Sequence, residues 1–162
     1  MQTTYSVLAP EGLLGLPAED FTNYTDTVIP TVSVKVGKLL VADTTVGQVR
    51  NKARYPAAAA DITTKEKLLG ITRWDQSREG GVDYPALRPT PVVRRGRIWV
   101  TAESAVTRFT QCFIRYAAGA GGTELGSFRA DVDTASAAAC PWAMFITDAT
   151  AGALVLVEIS IY

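Results

Sequence analysis

Histidine is absent from these 162 residues, and cysteine and methionine occur only twice each. Without an imidazole the chain has no Ser-His or Cys-His nucleophilic pair, and it lacks the commonest general base and zinc ligand. Two thiols alone do not complete a structural zinc site. Cys112 and Cys140 have the option of pairing. The N-terminus MQTTYSVLAP, however, lacks the positive region and continuous apolar core of a secretory signal, so the expectation is two reduced thiols in a protein made in the cytoplasm. Cys112 alternates within QCFIRY, which makes core filling its expected role. No apolar run approaches the ~20 residues of a membrane span, and no membrane partner is expected. A basic excess is missing too: sixteen Lys and Arg balance sixteen Asp and Glu. A dedicated nucleic-acid domain usually shows a clear surplus of positive charge.

The remaining chemical motifs are incomplete. GAGGTELG (119–126) resembles a dinucleotide fingerprint only superficially, because Glu124 stands at the third glycine position and no βαβ unit surrounds it. It reads as a flexible loop. DVDTA (131–135) begins like a calcium loop but places Ala135 where a third oxygen ligand is needed, so it reads as a surface turn. Adjacent carboxylates such as Glu19 and Asp20 are not pre-organised for hydrolysis without a surrounding pocket. The sequence therefore assigns no catalytic residue, no cofactor and no metal.

What is present is charge segregation and β alternation. Residues 1–34 carry four acidic and no basic residues, residues 130–162 do the same, and every Lys and Arg lies between Lys35 and Arg129. Either these are solvated faces, or an acidic segment docks on a basic body in its own or a neighbouring subunit. TVSVKV (31–36) alternates strictly, with Val32, Val34 and Val36 on one face. KLLVA (38–42), LLGITR (68–73), RIWVT (97–101), QCFIRY (111–116), WAMFIT (142–147) and LVLVEISIY (154–162) add short strands separated by Gly, Pro, Asp and Thr. The last puts Val155, Val157, Ile159 and Ile161 on one face. AADITTKEKLL (59–69) offers a short helix beginning near Asp61, whose side chain is expected to cap it. The predicted fold is mainly β: a compact antiparallel barrel or jelly-roll-like sandwich.

Residues 1–30 fit neither period. Pro10, Pro17 and Pro30 interrupt isolated apolar residues, which predicts an extended N-terminal arm ahead of a β domain over 31–162. The arm either lies along its own barrel or is covered by a partner. VVRRGRIWV (92–100) poses the nucleic-acid question most directly. Gly96 between Arg95 and Arg97 reads as a tight connection joining PVV to RIWVT, and Trp99 falls on the face opposite Ile98 and Val100. There its indole covers a sheet or meets another subunit. One Trp beside one basic cluster is a poor stacking groove, so DNA binding through Arg94, Arg95 and Arg97 is the alternative reading only.

LLGITRWDQSREGG (68–81), VVRRGRIWVTAESAV (92–106), YAAGAGGTELGSFRADVDTASAAA (116–139) and AGALVLVEI (151–159) resemble, in this order, the structural cement proteins of tailed bacteriophages. A stretch like MQTTYSVLAPEGLLGLPAED also precedes the β domain in that family. The resemblance covers nearly the whole chain, and none of its motifs carries chemistry. It implies a non-enzymatic decoration protein on the outer surface of the phage capsid, bound to the major capsid protein and clamping neighbouring subunits against internal DNA pressure. It also implies a homodimer or homotrimer at symmetry-related seams, without nucleic acid. The candidate contact residues for the capsid or a sister subunit are Tyr5, Leu13, Leu14, Phe21, Tyr24, Arg94, Arg95 and Trp99.

Overall fold

Strands form where apolar residues alternate, and they pair across long sequence distances. The computed structural model describes residues 14–18, 23–45, 51–75, 83–118 and 124–161. Its strands are β1 (Tyr24–Pro30), β2 (Val34–Lys35), β3 (Leu39–Ala42), β4 (Lys52–Arg54), β5 (Leu68–Thr72), β6 (Asp83–Tyr84), β7 (Thr90–Thr101), β8 (Gln111–Arg115), β9 (Phe128–Arg129), β10 (Ala137–Phe145) and β11 (Leu154–Ser160), with one short helix α1 (Ala59–Thr63). The main sheet runs β1-β4-β3-β5-β7-β11-β10-β8-β9, and β1 also pairs with β7. Its first five strands thus close into a ring, and β11, β10, β8 and β9 extend from β7 as a second wall. Barrel and sandwich are both present, fused through one twelve-residue strand. The pairing is antiparallel except between β1 and β4, which run parallel with Ile29 opposite Lys52.

Two cores follow from the alternation. Every strand of the ring contributes to the smaller one: Val28, Leu40, Ala53 and Val92 are buried in it, and half-buried Leu69 packs against it. The larger core lies between the β3-β5-β7 wall and the extension. It joins Leu39, Ile71 and Val93 to Ile98, Val100, Phe128, Phe145, Val155, Val157 and Ile159. The predicted inner face of the last strand is buried throughout, from Val155 to Ile161.

Four local expectations change. Residues 92–100 make no turn, because β7 runs straight through Arg94, Arg95 and Gly96. Gly96 adopts φ +131, and a Cβ there would lie 1.8 Å from Asn23 Oδ1. The glycine makes room for Asn23, whose Oδ1 accepts the Arg97 N–H at 2.8 Å. Tyr24–Pro30, placed by the sequence in the arm, is β1 and closes the ring. In TVSVKV only Val34 and Lys35 are strand, with Val34 and Val36 buried but Val32 exposed. Asp61 lies inside α1 rather than capping it, and its carboxylate takes Arg54 at 2.9 Å, Lys67 at 3.1 Å and the Ala57 N–H at 3.1 Å.

Candidate functional site

The candidate contact residues fall into three groups. Tyr5, Leu13 and Phe21 lie outside the described residues. Leu14 begins a segment, Leu14–Ala18, that runs antiparallel along the edge of β7 opposite β11, beyond the stretch paired with β1. Gly15 N–H donates to Trp99 O at 2.7 Å, Trp99 N–H to Leu16 O at 3.1 Å, and Ala18 N–H to Arg97 O at 2.9 Å. Gly15 also accepts Trp74 N–H at 2.9 Å. Its φ of +74 and the 2.1 Å approach of Val36 to a hypothetical Cβ leave this position to glycine. Half-buried Leu14 packs against the smaller core. Asn23 fastens the other end, donating Nδ2 to Ala18 O at 3.0 Å. This part of the expected arm therefore lies on its own body.

Tyr24, Arg95 and Trp99 come together on one surface. On β7, Gly96, Ile98 and Val100 point inward, so Arg95, Arg97 and Trp99 share the outer face. Tyr24 stands opposite Arg95 and is 56% exposed. On the other flank β11 sets Ser160 opposite Arg95, Glu158 opposite Arg97, Leu156 opposite Trp99 and Leu154 opposite Thr101. Met144 of β10 continues the Glu158 row. Ile146, one residue past buried Phe145, bonds Leu156 O through its N–H at 2.8 Å. Flanked by Trp99 and Ile146, Leu156 is only 8% exposed, whereas Met144 is 39% and Leu154 36% exposed. The outer face thus carries an apolar patch, Trp99-Leu156-Ile146 with Leu154 and Met144, beside the charged row Arg97-Glu158. Leu154, Leu156, Ile146 and Met144 are missing from the sequence-derived candidates. The signal was present: LVLV is apolar at every position, the pattern of a strand covered on both faces.

The charges are largely consumed within the chain. Arg94 pairs with Asp26 at 3.5 Å and Arg97 with Glu158 at 2.9 Å. Arg115, 1% exposed, is clamped by Glu103 and Asp133, while Arg129 reaches Asp131 at 2.7 Å, Asp133 at 2.7 Å and Glu103 at 3.2 Å. DVDTA is a turn, as expected, with Asp133, Thr134 and Ala135 all at positive φ. Its carboxylates neutralise two buried guanidinium groups. The hydrogen bond from Arg115 holds the Asp133 carboxyl below its ordinary value. The acidic ends and basic centre of the sequence meet in these pairs. Among the described residues no group of three His, Cys, Asp or Glu is placed to hold a metal ion, and no helix is long and apolar enough to cross a membrane.

An open cleft of about 390 Å³ is lined by Ser33, Lys35, Tyr55, Asp83, Glu124 and Leu125. Burial alone would raise the Glu124 carboxyl, but hydrogen bonds from Lys35 and Lys38 outweigh it and hold the group low. Lys38 in turn donates to Ser127 at 2.8 Å. The arrangement is an ion-paired wall, without a nucleophile and base in contact.

Comparison with known proteins places these features in context. A family model described as structural cement protein (E217 gp24/Pam3 gp6) matches residues 1–160. No curated protein sequence matches. Among solved structures, a chain from the capsid of Myoviridae phage XM1 superposes with a TM-score of 0.71 at 14% identity, covering 98% of both chains. The N base of the head fibre gp8.5 of bacteriophage phi29 is more distant, with a TM-score of 0.47 at 16% identity over 86% of this chain and 95% of that one.

Proposed function

The chain belongs to the structural cement protein family, a structural and capsid-associated class, and from that premise we propose that it decorates the outside of a phage head. It binds the major capsid protein and clamps neighbouring subunits, holding the shell against internal DNA pressure. A homodimer at twofold positions or a homotrimer at threefold positions suits such a seam. The observation that carries the reading is the exposed apolar patch around Trp99, Leu154 and Met144, set on a sheet whose other side is fully packed. A surface of this kind supports a contact with another protein, and its rigid backing suits the stiffness a clamp requires. Arg94, Arg95, Tyr24 and the arm residues Tyr5, Leu13, Leu14 and Phe21 extend the proposed contact around that patch. Engagement of Arg94 by Asp26 and Arg97 by Glu158 weakens the positive field that DNA binding needs.

The test is co-sedimentation with purified heads that lack the protein. Met144→Asp with Leu154→Asp should lower head affinity at least tenfold while leaving the thermal midpoint within about 2 °C, since both side chains are already exposed to solvent. Undiminished decoration by the double variant would remove the patch from the contact. Salt-sensitive binding of the native protein to bare duplex DNA at near-physiological ionic strength would favour the nucleic-acid reading instead.

A further inference from the structure

Cys112 and Cys140 stand directly opposite one another where β8 pairs with β10. Both are free thiols, fully buried in the larger core. Directly opposed residues of an antiparallel pair point to the same face with Cα atoms about 4.5–5.5 Å apart. A disulfide accepts Cα separations of about 4.4–6.8 Å. The ladder thus already sets the backbone spacing that a covalent bridge requires. There is also room for the remaining adjustment. The register shifts between Cys140 and Met144, so the strand is bulged immediately beyond Cys140. On its far side β8 is paired with β9 only at Phe113 and Ile114.

We propose that Cys112 and Cys140 form a redox-closable cross-strand pair, reduced in the cytoplasm and joined as a disulfide when the protein meets an oxidising medium. The oxidant is a low-molecular-weight disulfide. The thiolate of one cysteine attacks a sulfur of the oxidant, breaking its S–S bond, forming a mixed disulfide and releasing one small thiolate, which takes up a proton. The second cysteine thiolate then attacks the protein sulfur of the mixed disulfide and expels the second small thiol. Two protein thiols lose two protons and two electrons, and the oxidant is reduced to two thiols.

Closure is slow in the folded protein, for a reason visible in the core. Burial pushes the Cys112 thiol well above its ordinary value and the Cys140 thiol up to about 11. Both are therefore unreactive until the sheet edge at β8 opens locally. Once formed, the bond closes the chain from Phe113 to Ala139, which contains Arg115 and the Asp131–Asp133 turn that neutralises it. The bridge would lock the covalent loop around that ion network. Its biological setting, a particle leaving a reducing cell, rests on the cement reading; its chemistry does not.

The experiment uses the purified full-length protein away from any head. Reduced protein is incubated with oxidised glutathione, alkylated in denaturant, and analysed by intact mass, peptide mapping and thermal melting. The expected product is a monomer lighter by two hydrogens, with neither cysteine alkylated and Cys112 linked to Cys140. Its midpoint should rise by about 5–10 °C and fall back on addition of dithiothreitol. Two alkylatable cysteines after exhaustive oxidation, a persistent glutathione adduct, or linkage only between molecules would overturn the proposal, as would a bond that lowers the midpoint. Cys140→Ala should gain nothing from the same treatment. A failure here leaves head binding untouched, and a failure of head binding leaves this result standing.

Discussion

Ile159 condenses the packing argument into one side chain. It is fully buried, sits opposite Ala143 on one flank and Gly96 on the other, and belongs to the larger core. Truncation to alanine removes buried methyl groups and leaves a cavity that stiff neighbouring strands fill poorly. Ile159→Ala should therefore cost about 2–5 kcal/mol. Ile159→Asp should cost more, because it buries a carboxylate without a partner. Against a typical total of about 5–15 kcal/mol, the second variant should be largely unfolded at physiological temperature. Urea titrations decide it, and an unchanged midpoint for Ile159→Asp would show that this face is not closed off from water.

Elements differ in how much of themselves they disclose in sequence. Strands β3, β5, β8 and β11 are legible because short runs of Leu, Val and Ile report their own burial. β1 is not: TDT is polar and exposed, Pro30 signals a break, and the strand exists because β7 and β4 lie on either side of it. The Arg95-Gly96-Arg97 run misleads in the same way, since the reason for glycine there is Asn23, a residue distant in sequence. Trp99 could be assigned to the outer face by alternation alone, but Ile146 and Met144 join the same face beyond Leu156 and Glu158 only through the register of β10 and β11. These placements bear on truncation. A chain beginning at Thr31 loses β1 and opens the ring, so it should lose its cooperative melting transition. A chain beginning at Asn23 keeps the ring and sheds only the Leu14–Ala18 strip with the residues before it and 19–22. It should fold with a reduced midpoint and decorate heads more weakly than the full chain. A Thr31 chain as stable as the full one would mean that β1 is dispensable.

For the molecule as a whole, neutrality is arranged rather than incidental. Among the described residues four carboxylates have lowered proton affinity in the fold. The Thr45 hydroxyl bond holds Asp43 down, and the Arg115 bond does so for Asp133. For Asp61 burial acts in the opposite sense, but is outweighed by the Ala57 N–H, Lys67 and Arg54; for Glu124 it is outweighed by Lys35 and Lys38. A folded value below the unfolded one makes a contribution that is complete above the ordinary carboxylate range of about 4. It is lost as pH falls through the folded values. Stability should accordingly be nearly flat from about pH 5 to 7 and decline steeply below about pH 4. Arg115 then loses its counter-charges while still enclosed. Urea midpoints measured across that range test this, and a profile with no acid limb would mean the pairs contribute nothing.

The shared strand also dictates an order of events at the ribosome. Leu14–Ala18 and β1 are synthesised early, yet both hydrogen-bond to β7, which is made more than sixty residues later. β7 in turn has an unpaired edge until β11, near the end of the chain, is available. At roughly 5–20 residues per second, the nascent chain spends seconds with neither core completed. The ring strands all lie between Tyr24 and Thr101, so the smaller core can close once β7 has emerged, whereas the larger core waits for β11. Completion of the larger core is therefore the late step, and until it is taken the emerging polypeptide depends on being shielded from other unfinished copies of itself.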